Sequence, residues 1–355
     1  MSTSPRTTDP WVESPWLEDD IGRRELPPHI VELARLYHRD GYAVVSGLVD
    51  HDLIARILDD AVEPLRGAGR VQDLWRTSAS VRELAVLPSV LDLLRTLYGR
   101  EPVPFQTLSF EYGTQQRAHS DTVHFSSLPR GFMCGVWVAL EDVDGGNGPL
   151  FYYPGSQRLP DPYFQRFGLE AGLASYGNYE DAQEALMTAH GLERVEFHAQ
   201  AGDVLIWSSN LVHGGMPIAE AGRTRWSQVT HYFFEGCVYV TPLYSDPELG
   251  EWYVRHDLVD ITTGRPAPQS YNGQAIHFED LGNMRSRIHR GPMSAPHAAE
   301  LRAELDALRH ELGVARARAD HAAAELAALR SSRALRTGNA LLAPARWLRN
   351  RTRPC

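Results

Sequence analysis

The spacing of apolar and polar positions changes character along the chain and marks its elements. From Pro28, the residues Ile30, Leu33, Ala34 and Tyr37 recur at helical intervals until Asp40-Gly41 interrupts them. Tyr42-Ala43-Val44-Val45 then predicts a buried strand. Helical spacing returns over roughly 50–65 and again over 81–98, and these helices are expected to cover one face of a sheet. From Val103 to about Tyr239 the runs become short or alternating and are punctuated by Gly, Pro and Asn, as an all-β sandwich or barrel requires. Strands are predicted at 106–112, 134–140, 150–153, 195–197, 204–208 and 226–234. The stretch 159–192 reads as a long, partly helical insertion, either a lid or an inert elaboration. Residues 243–292 show no dominant period.

After Ser294-Ala295-Pro296, a helix start, Leu301, Leu305, Leu308, Leu312, Ala315, Ala319, Ala322, Leu326 and Leu329 advance in steps of four and three. That is a heptad seam and predicts a coiled coil, with 301–329 as a surface for homo-oligomers. At the other end, 1–26 is rich in Pro, Ser, Thr and acids and reads as an irregular arm whose Trp11 and Trp16 dock on the body. The expected division is an arm at 1–26, a mainly β domain with flanking helices at 27–293, a coiled-coil segment at 294–330 and a basic tail at 331–355.

Composition narrows the function classes. The chain has 355 residues, 43% of them hydrophobic, and a net charge of -10, which fits a soluble globular domain with appendages and argues against nucleic acid as a partner. All 35 fixed side-chain cations are arginine, since lysine is absent. Cys134, Cys237 and Cys355 are too few and too scattered for a disulfide framework, so a reducing cytoplasm is expected. The first twenty or so residues lack the apolar core of a signal peptide. From Arg330 onward there are seven arginines and no acid, interleaved with Leu341, Leu342, Trp347 and Leu348. That composition suits an anionic membrane surface, at the inner membrane face, or an acidic partner.

The chemistry concentrates in Arg117-Ala118-His119-Ser120-Asp121. On an extended strand His119 and Asp121 point to the same face and can reach one cation. A third ligand is available in Trp207-Ser208-Ser209-Asn210-Leu211-Val212-His213-Gly214-Gly215. Two histidines and one carboxylate form the facial triad of non-haem Fe(II) sites, and zinc accepts the same ligand types.

The order of motifs around these residues adds a resemblance. Arg39-Asp40-Gly41-Tyr42, Asn147-Gly148-Pro149-Leu150, Tyr153-Pro154-Gly155-Ser156-Gln157 and Ala201-Gly202-Asp203-Val204-Leu205-Ile206-Trp207 frame the candidate ligands. Over roughly 39–236 the chain resembles the phytanoyl-CoA dioxygenase family of Fe(II)- and 2-oxoglutarate-dependent oxygenases. The resemblance implies a double-stranded β-helix, a jelly-roll, cupin-like barrel, with His119, Asp121 and His213 as iron ligands. It also implies 2-oxoglutarate and O2 as co-substrates, with succinate and CO2 formed as a small-molecule substrate is hydroxylated.

Within that resemblance, Arg223 and Arg225 both qualify by distance as the co-substrate arginine, and alignment with the family's closing strand selects Arg225. Ser227, Val229 and His231 then share its face, and Ser227 could add a hydroxyl donor. Trp137 stands where similar members place a tryptophan beside the co-substrate, although a core role fits it equally. Gln106, Tyr112 and His124 flank the metal motif and are expected to face substrate. A lysine that many relatives carry near Tyr112 is missing. Halogenating relatives replace the carboxylate ligand with a small residue, so Asp121 favours hydroxylation. Asn147, Gly155 and Gly202 read as turn residues. The segment Leu329-Arg330-Ser331-Ser332-Arg333-Ala334-Leu335-Arg336 loosely resembles tails of bacterial surface-polysaccharide biosynthesis proteins, which points to a surface-glycan pathway, with secondary metabolism equally open. Two rival readings are a catalytically idle barrel that acts as an interaction protein through its extension, and a zinc hydrolase, for which no dedicated general base stands beside the metal motif.

Overall fold

Element ends follow from their residues. A 3-10 turn at Trp11–Glu13 and helix α1, Leu17–Gly22, precede α2, Pro28–Asp40, which starts on a proline and stops at Gly41, whose φ of 83° suits glycine. Strand β1 is Tyr42–Val45, and α3, His51–Leu65, is capped by the Asp50 carboxylate accepting from the Leu53 N–H at 2.7 Å. Strand β2, Arg70–Gln72, follows. The predicted helix at 81–98 is two helices, α4, Ala79–Ala85, and α5, Pro88–Tyr98. Pro88 has no N–H to continue the first, but fits the first turn of the second.

The computed structural model describes residues 8–291 and the helix 295–331, which belong to two separate units. In the first unit the described part of the arm, 8–26, is ordered rather than irregular. Trp11, Val12 and Leu17 are buried in the main core, and the Trp11 indole N–H donates to the Thr96 carbonyl at 2.9 Å. Trp16, by contrast, is exposed.

The barrel strands are β3, Pro102–Phe110; β4, Ser126–Leu128; β5, Met133–Ala139; and β6, Leu150–Tyr152. After the insertion, which contains helix α6, Tyr176–Ala189, come β7, Val195–Phe197; β8, Val204–Ser208; β9, His213–Gly215; β10, Ser227–Phe234; and β11, Val238–Val240. A six-stranded sheet runs β1-β8-β5-β10-β3-β2 and a three-stranded sheet runs β7-β6-β9. Every pairing within them is antiparallel. Two such sheets make the double-stranded β-helix.

One face of the larger sheet packs on the helices, so that Val136, Ile206 and Tyr232 share a core with Ile57, Leu94 and Trp11. Its other face carries Phe110, Trp137, Leu205 and Val229, which cluster with Tyr152 and Phe197 of the smaller sheet. Register aligns the residues that matter. Gln106, His231, Gly135, Trp207 and Tyr42 form one cross-sheet row, and Gln72, Leu108, Val229, Trp137 and Leu205 form another.

Residues 243–292, without a dominant period in the sequence, include the short strands β12, Glu251–Trp252; β13, Val259–Asp260; and β14, Arg265–Pro266. The hairpin of β15, Ile276–Gly282, and β16, Arg285–Arg290, completes the unit. In the second unit, helix α7, Ala295–Ser331, is 37 residues long and exposes Leu305, Leu308 and Leu312 of the predicted seam. From 332 on, the basic tail predicted at 331–355 lies outside the described residues. No helix among the described residues is long and apolar enough to cross a membrane.

Candidate metal centre

His119, Asp121 and His213 converge. One ligand atom from each lies within 4.8 Å of the other two, and all three residues are buried. The local backbone differs from the regular strand expected. His119 pairs with His213 as an isolated bridge, with both reciprocal N–H to carbonyl bonds at 3.0 and 2.9 Å, and Asp121 opens a 3-10 turn, Asp121–Val123. The bridge sets the two imidazoles side by side, their centroids 4.6 Å apart.

Each imidazole is fixed by its own chain. His119 Nδ1 lies 2.9 Å from the Arg117 carbonyl and His213 Nδ1 lies 3.0 Å from the Leu211 carbonyl. A carbonyl can only accept, so both Nδ1 atoms carry the proton and both Nε2 atoms present a lone pair. Those Nε2 atoms each stand 3.9 Å from Asp121 Oδ1. The other carboxylate oxygen, Oδ2, accepts from the Trp207 indole N–H at 2.8 Å and has His231 Nε2 at 3.7 Å. Asp121 therefore offers one free oxygen to the same point as the two histidines.

Trp207 reaches Oδ2 because it lies across Gly135 on the neighbouring strand. A Cβ there would sit 2.3 Å from the indole ring, closer than any side chain permits. Neither Trp207 nor His231 was expected at the metal centre from the sequence. Alternation held the signal for His231, which follows Arg225, Ser227 and Val229 on one face, whereas the role of Trp207 depends on the glycine directly opposite it on the neighbouring strand.

The charge state suits a divalent cation. Burial, reinforced by His213, pushes His119 down to about 3, so it is neutral and ready to ligate. Burial pushes the Asp121 carboxyl up, but the neighbouring His213, His231 and His119 outweigh it and hold the group at about 2, ionised. Burial also pushes His231 down to about 4.

The triad opens into a cavity of about 230 Å³, which Arg225, Trp137, Gln106 and His124 also line. Arg225 is 1% exposed, and among the described residues its only side-chain hydrogen bond runs from Nη1 to the Gly148 carbonyl at 2.9 Å, leaving Nε without a partner. Burial lowers this guanidinium to about 10 against the field of Glu141. A buried cation with spare donors is a site for an anion. Arg223 is elsewhere, at the surface, paired with Asp144 at 2.8 Å and Glu220 at 3.4 Å. Asn147 is more than a turn residue. Its amide donates to the Asp142 and Thr224 carbonyls, tying the loop that carries the Gly148 carbonyl to the residue before Arg225.

The remaining predicted residues divide. Trp137 is 1% exposed, with its ring 5.9 Å from the Arg225 guanidinium carbon and its indole N–H unpartnered, so it is at once wall and core. His124 Nε2 contacts the Tyr176 hydroxyl of α6 at 2.8 Å, and that contact brings the 159–192 insertion to the cavity rim. Arg117, two residues before His119, ties the same helix down through Asp181 and Glu184 at 2.6 and 3.1 Å. Ser227 is fully buried and is not part of the cavity wall, its hydroxyl donating to the Arg225 carbonyl at 3.4 Å. Tyr112 is exposed and is not part of the cavity wall. Gln116, which lines the cavity with its amide 3.2 Å from His119 Nε2, and Tyr176 were both missed. No periodicity or motif marks either one.

Against known families, the sequence profile described as Phytanoyl-CoA dioxygenase (PhyH) matches residues 37–225, more than half of the chain. The chain belongs to the phytanoyl-CoA dioxygenase family. As a member it is a 2-oxoglutarate-dependent non-haem iron dioxygenase. The peroxisomal phytanoyl-CoA dioxygenase of Rattus norvegicus is 21% identical over 307 residues, covering 74% of this chain and 82% of that protein. Among solved structures, the non-heme alpha ketoglutarate dependent epimerase SnoN from nogalamycin biosynthesis is 25% identical with a TM-score of 0.51, over 68% of this chain and 96% of its own. The carbocyclase SnoK from the same biosynthesis is 18% identical with a TM-score of 0.51, over 61% and 87%. The likeness to these two structures is one of fold.

Proposed function

We propose that His119, Asp121 and His213 hold Fe(II), that Arg225 binds the distal carboxylate of 2-oxoglutarate beside Trp137 and Ser227, and that the enzyme hydroxylates a small molecule reaching Gln106 and His124. The observation that carries this reading is the convergence, in one cavity, of a two-histidine, one-carboxylate triad with a buried arginine whose Nε lacks a partner. The donor set alone suits zinc as well. Arg225 favours iron, because a zinc hydrolase has no use for a dicarboxylate site.

When bound, Fe(II) supplies, with 2-oxoglutarate and O2, the oxidising power that hydroxylates substrate as succinate and CO2 form. The chain's own residues position and protect. Trp207 holds Oδ2 of Asp121 so that Oδ1 stays aimed at the metal position, and the Arg117 and Leu211 carbonyls hold the histidine tautomers. Leu108, Phe110, Leu150 and Val229 line the cavity with apolar surface that excludes bulk water. Because Asp121 fills a ligand position with a carboxylate, hydroxylation is favoured over halogenation.

A bacterial biosynthetic pathway, for a surface glycan or a secondary metabolite, is the context we favour. Two of the solved structures similar in fold come from nogalamycin biosynthesis, which is consistent with the second. We assign 301–329 to self-association and the residues beyond to an anionic membrane surface or acidic partner, both dispensable for chemistry. A chain ending at Pro292 should keep its activity but lose self-association in sedimentation. Succinate release from Fe(II), 2-oxoglutarate and a metabolite extract tests the activity itself. Its absence, with Fe(II) and 2-oxoglutarate shown to bind, would leave the idle-barrel reading standing.

A further inference from the structure

Strand β2 is an added edge on the larger sheet, and its two ends face the cavity. Arg70 pairs with Phe110 and Gln72 with Leu108, both cavity-lining residues, while Val71 between them packs on the core behind the sheet. Four residues further along the same face of β3 from Phe110, Gln106 completes the wall beside His231. Among the described residues, none of these three side chains has a hydrogen-bond partner, and no carboxylate lies within ion-pairing distance of Arg70. Gln106 is the decisive one, since it is only 8% exposed. The amide of a largely buried residue that opens into a cavity without a protein partner is expected to meet a ligand.

We infer that Arg70, Gln72 and Gln106 bind the substrate, and that the substrate is a small organic anion, a carboxylate or phosphate, whose charged end meets Arg70 at the mouth. This rests on the iron and 2-oxoglutarate reading above. Under that reading the charges inside the cavity already balance. The dication and Asp121 leave one positive charge, and the co-substrate dianion and Arg225 leave one negative, so Arg70 is the cation left over. Strand β2 lies two strands from β10, roughly 10 Å away, beyond the carboxylate that Arg225 would hold. Along the sheet, the four-residue step from the Arg70 row to the Gln106 row spans roughly 13 Å. The oxidised carbon therefore lies several bonds from the anionic group, with polar atoms between them for the two glutamine amides. At about 230 Å³ the cavity is below the range that encloses a drug-sized ligand, so a larger substrate would enter by its reacting end alone.

The test divides a metabolite extract on an anion exchanger and adds the retained and unretained pools separately to the Fe(II)- and 2-oxoglutarate-loaded enzyme. The retained pool should raise succinate formation above the substrate-free rate. Arg70→Ala should need about ten-fold more of it, as loss of a charge-assisted pair implies. Anaerobic ultrafiltration followed by mass spectrometry should find the same anion held by wild type and released by the variant. Affinity for 2-oxoglutarate, read from the visible absorption of the anaerobic complex, should agree within about two-fold between the two proteins. Stimulation by the unretained pool or by neither, an unchanged response in Arg70→Ala, or loss of 2-oxoglutarate affinity in that variant would each overturn the inference. Failure of 2-oxoglutarate to bind wild type is a separate result, and would remove the parent reading together with this one.

Discussion

The two faces of strand β10 are made from alternate residues of one segment and live in different environments. On the helix side Gln228 donates to the Val81 carbonyl and the Tyr232 hydroxyl donates to the Ala85 carbonyl at 2.9 Å, locking the sheet to α4. On the cavity side, Val229 and His231 follow Arg225, and there the cationic guanidinium keeps an unpartnered Nε and the imidazole an unpartnered Nδ1. The strand's two-residue period thus separates stability from chemistry. Substitutions on one face should unfold the protein and substitutions on the other should silence it.

Ligand replacement breaks that symmetry most strongly. His119→Ala, Asp121→Ala or His213→Ala should each abolish iron-dependent succinate formation while the metal-free protein stays folded; Asp121→Ala alone should also lower its melting temperature, because it leaves the buried Trp207 N–H without an acceptor. Tyr232→Ala on the helix side should instead cost about 3–5 kcal/mol of stability, read by denaturant unfolding, by leaving a cavity against α4. If a ligand variant keeps its turnover, that residue is not a ligand.

Gly135 sharpens the comparison, because it is on the neighbouring strand, in the row that carries His231 and Trp207. Gly135→Ala must displace the indole, so the Trp207 to Asp121 hydrogen bond breaks. Iron affinity should fall by about 10- to 100-fold, the usual cost of losing a group that orients a ligand. Metal titration reads this directly, and an unchanged affinity would show that Trp207 is wall alone.

A further effect concerns pH. His119 at about 3 and His231 at about 4 are neutral in the folded metal-free protein, whereas an unfolded imidazole titrates near 6.5. The unfolded chain then binds more protons, so stability should fall as pH drops from about 6.5 toward 4, on the order of 1 kcal/mol per pH unit for each histidine. Asp121, at about 2, has its stabilisation fully present above the ordinary carboxylate range and loses it only in stronger acid. A melting series with chelator should show a shallower slope in His231→Gln than in wild type. Equal slopes would place the titration elsewhere.

Much of this was legible in the sequence, for physical reasons. Strands buried on both faces read as apolar runs, which is why 134–140 and 204–208 anticipated β5 and β8 to within a residue. The triad residues stood out only together with the motifs around them that carry the family resemblance, because an unaided His-x-Asp arises often by chance. Strand β2 was invisible, since Arg70-Val71-Gln72 is three residues with a single apolar one and gains its place only by pairing with β3. The order of the arm was hidden for the same kind of reason. Trp11 was expected to dock on the body and does, but Val12 and Leu17 have no period, and their burial is decided by the surface they meet. Pro88 did carry the split between α4 and α5, and the run of apolar positions across it concealed the break.

The central claim is that one cavity face holds both an iron triad and the arginine for 2-oxoglutarate. Anaerobic titration of the Fe(II) protein with 2-oxoglutarate, followed through the visible charge-transfer band of the complex, tests it most directly. Wild type should saturate, Asp121→Ala should give no band, and Arg225→Ala should lose on the order of 2–5 kcal/mol of co-substrate binding while Arg223→Ala stays near wild type. A wild-type protein without the band, or one in which Arg223→Ala is the more damaging change, would contradict the account.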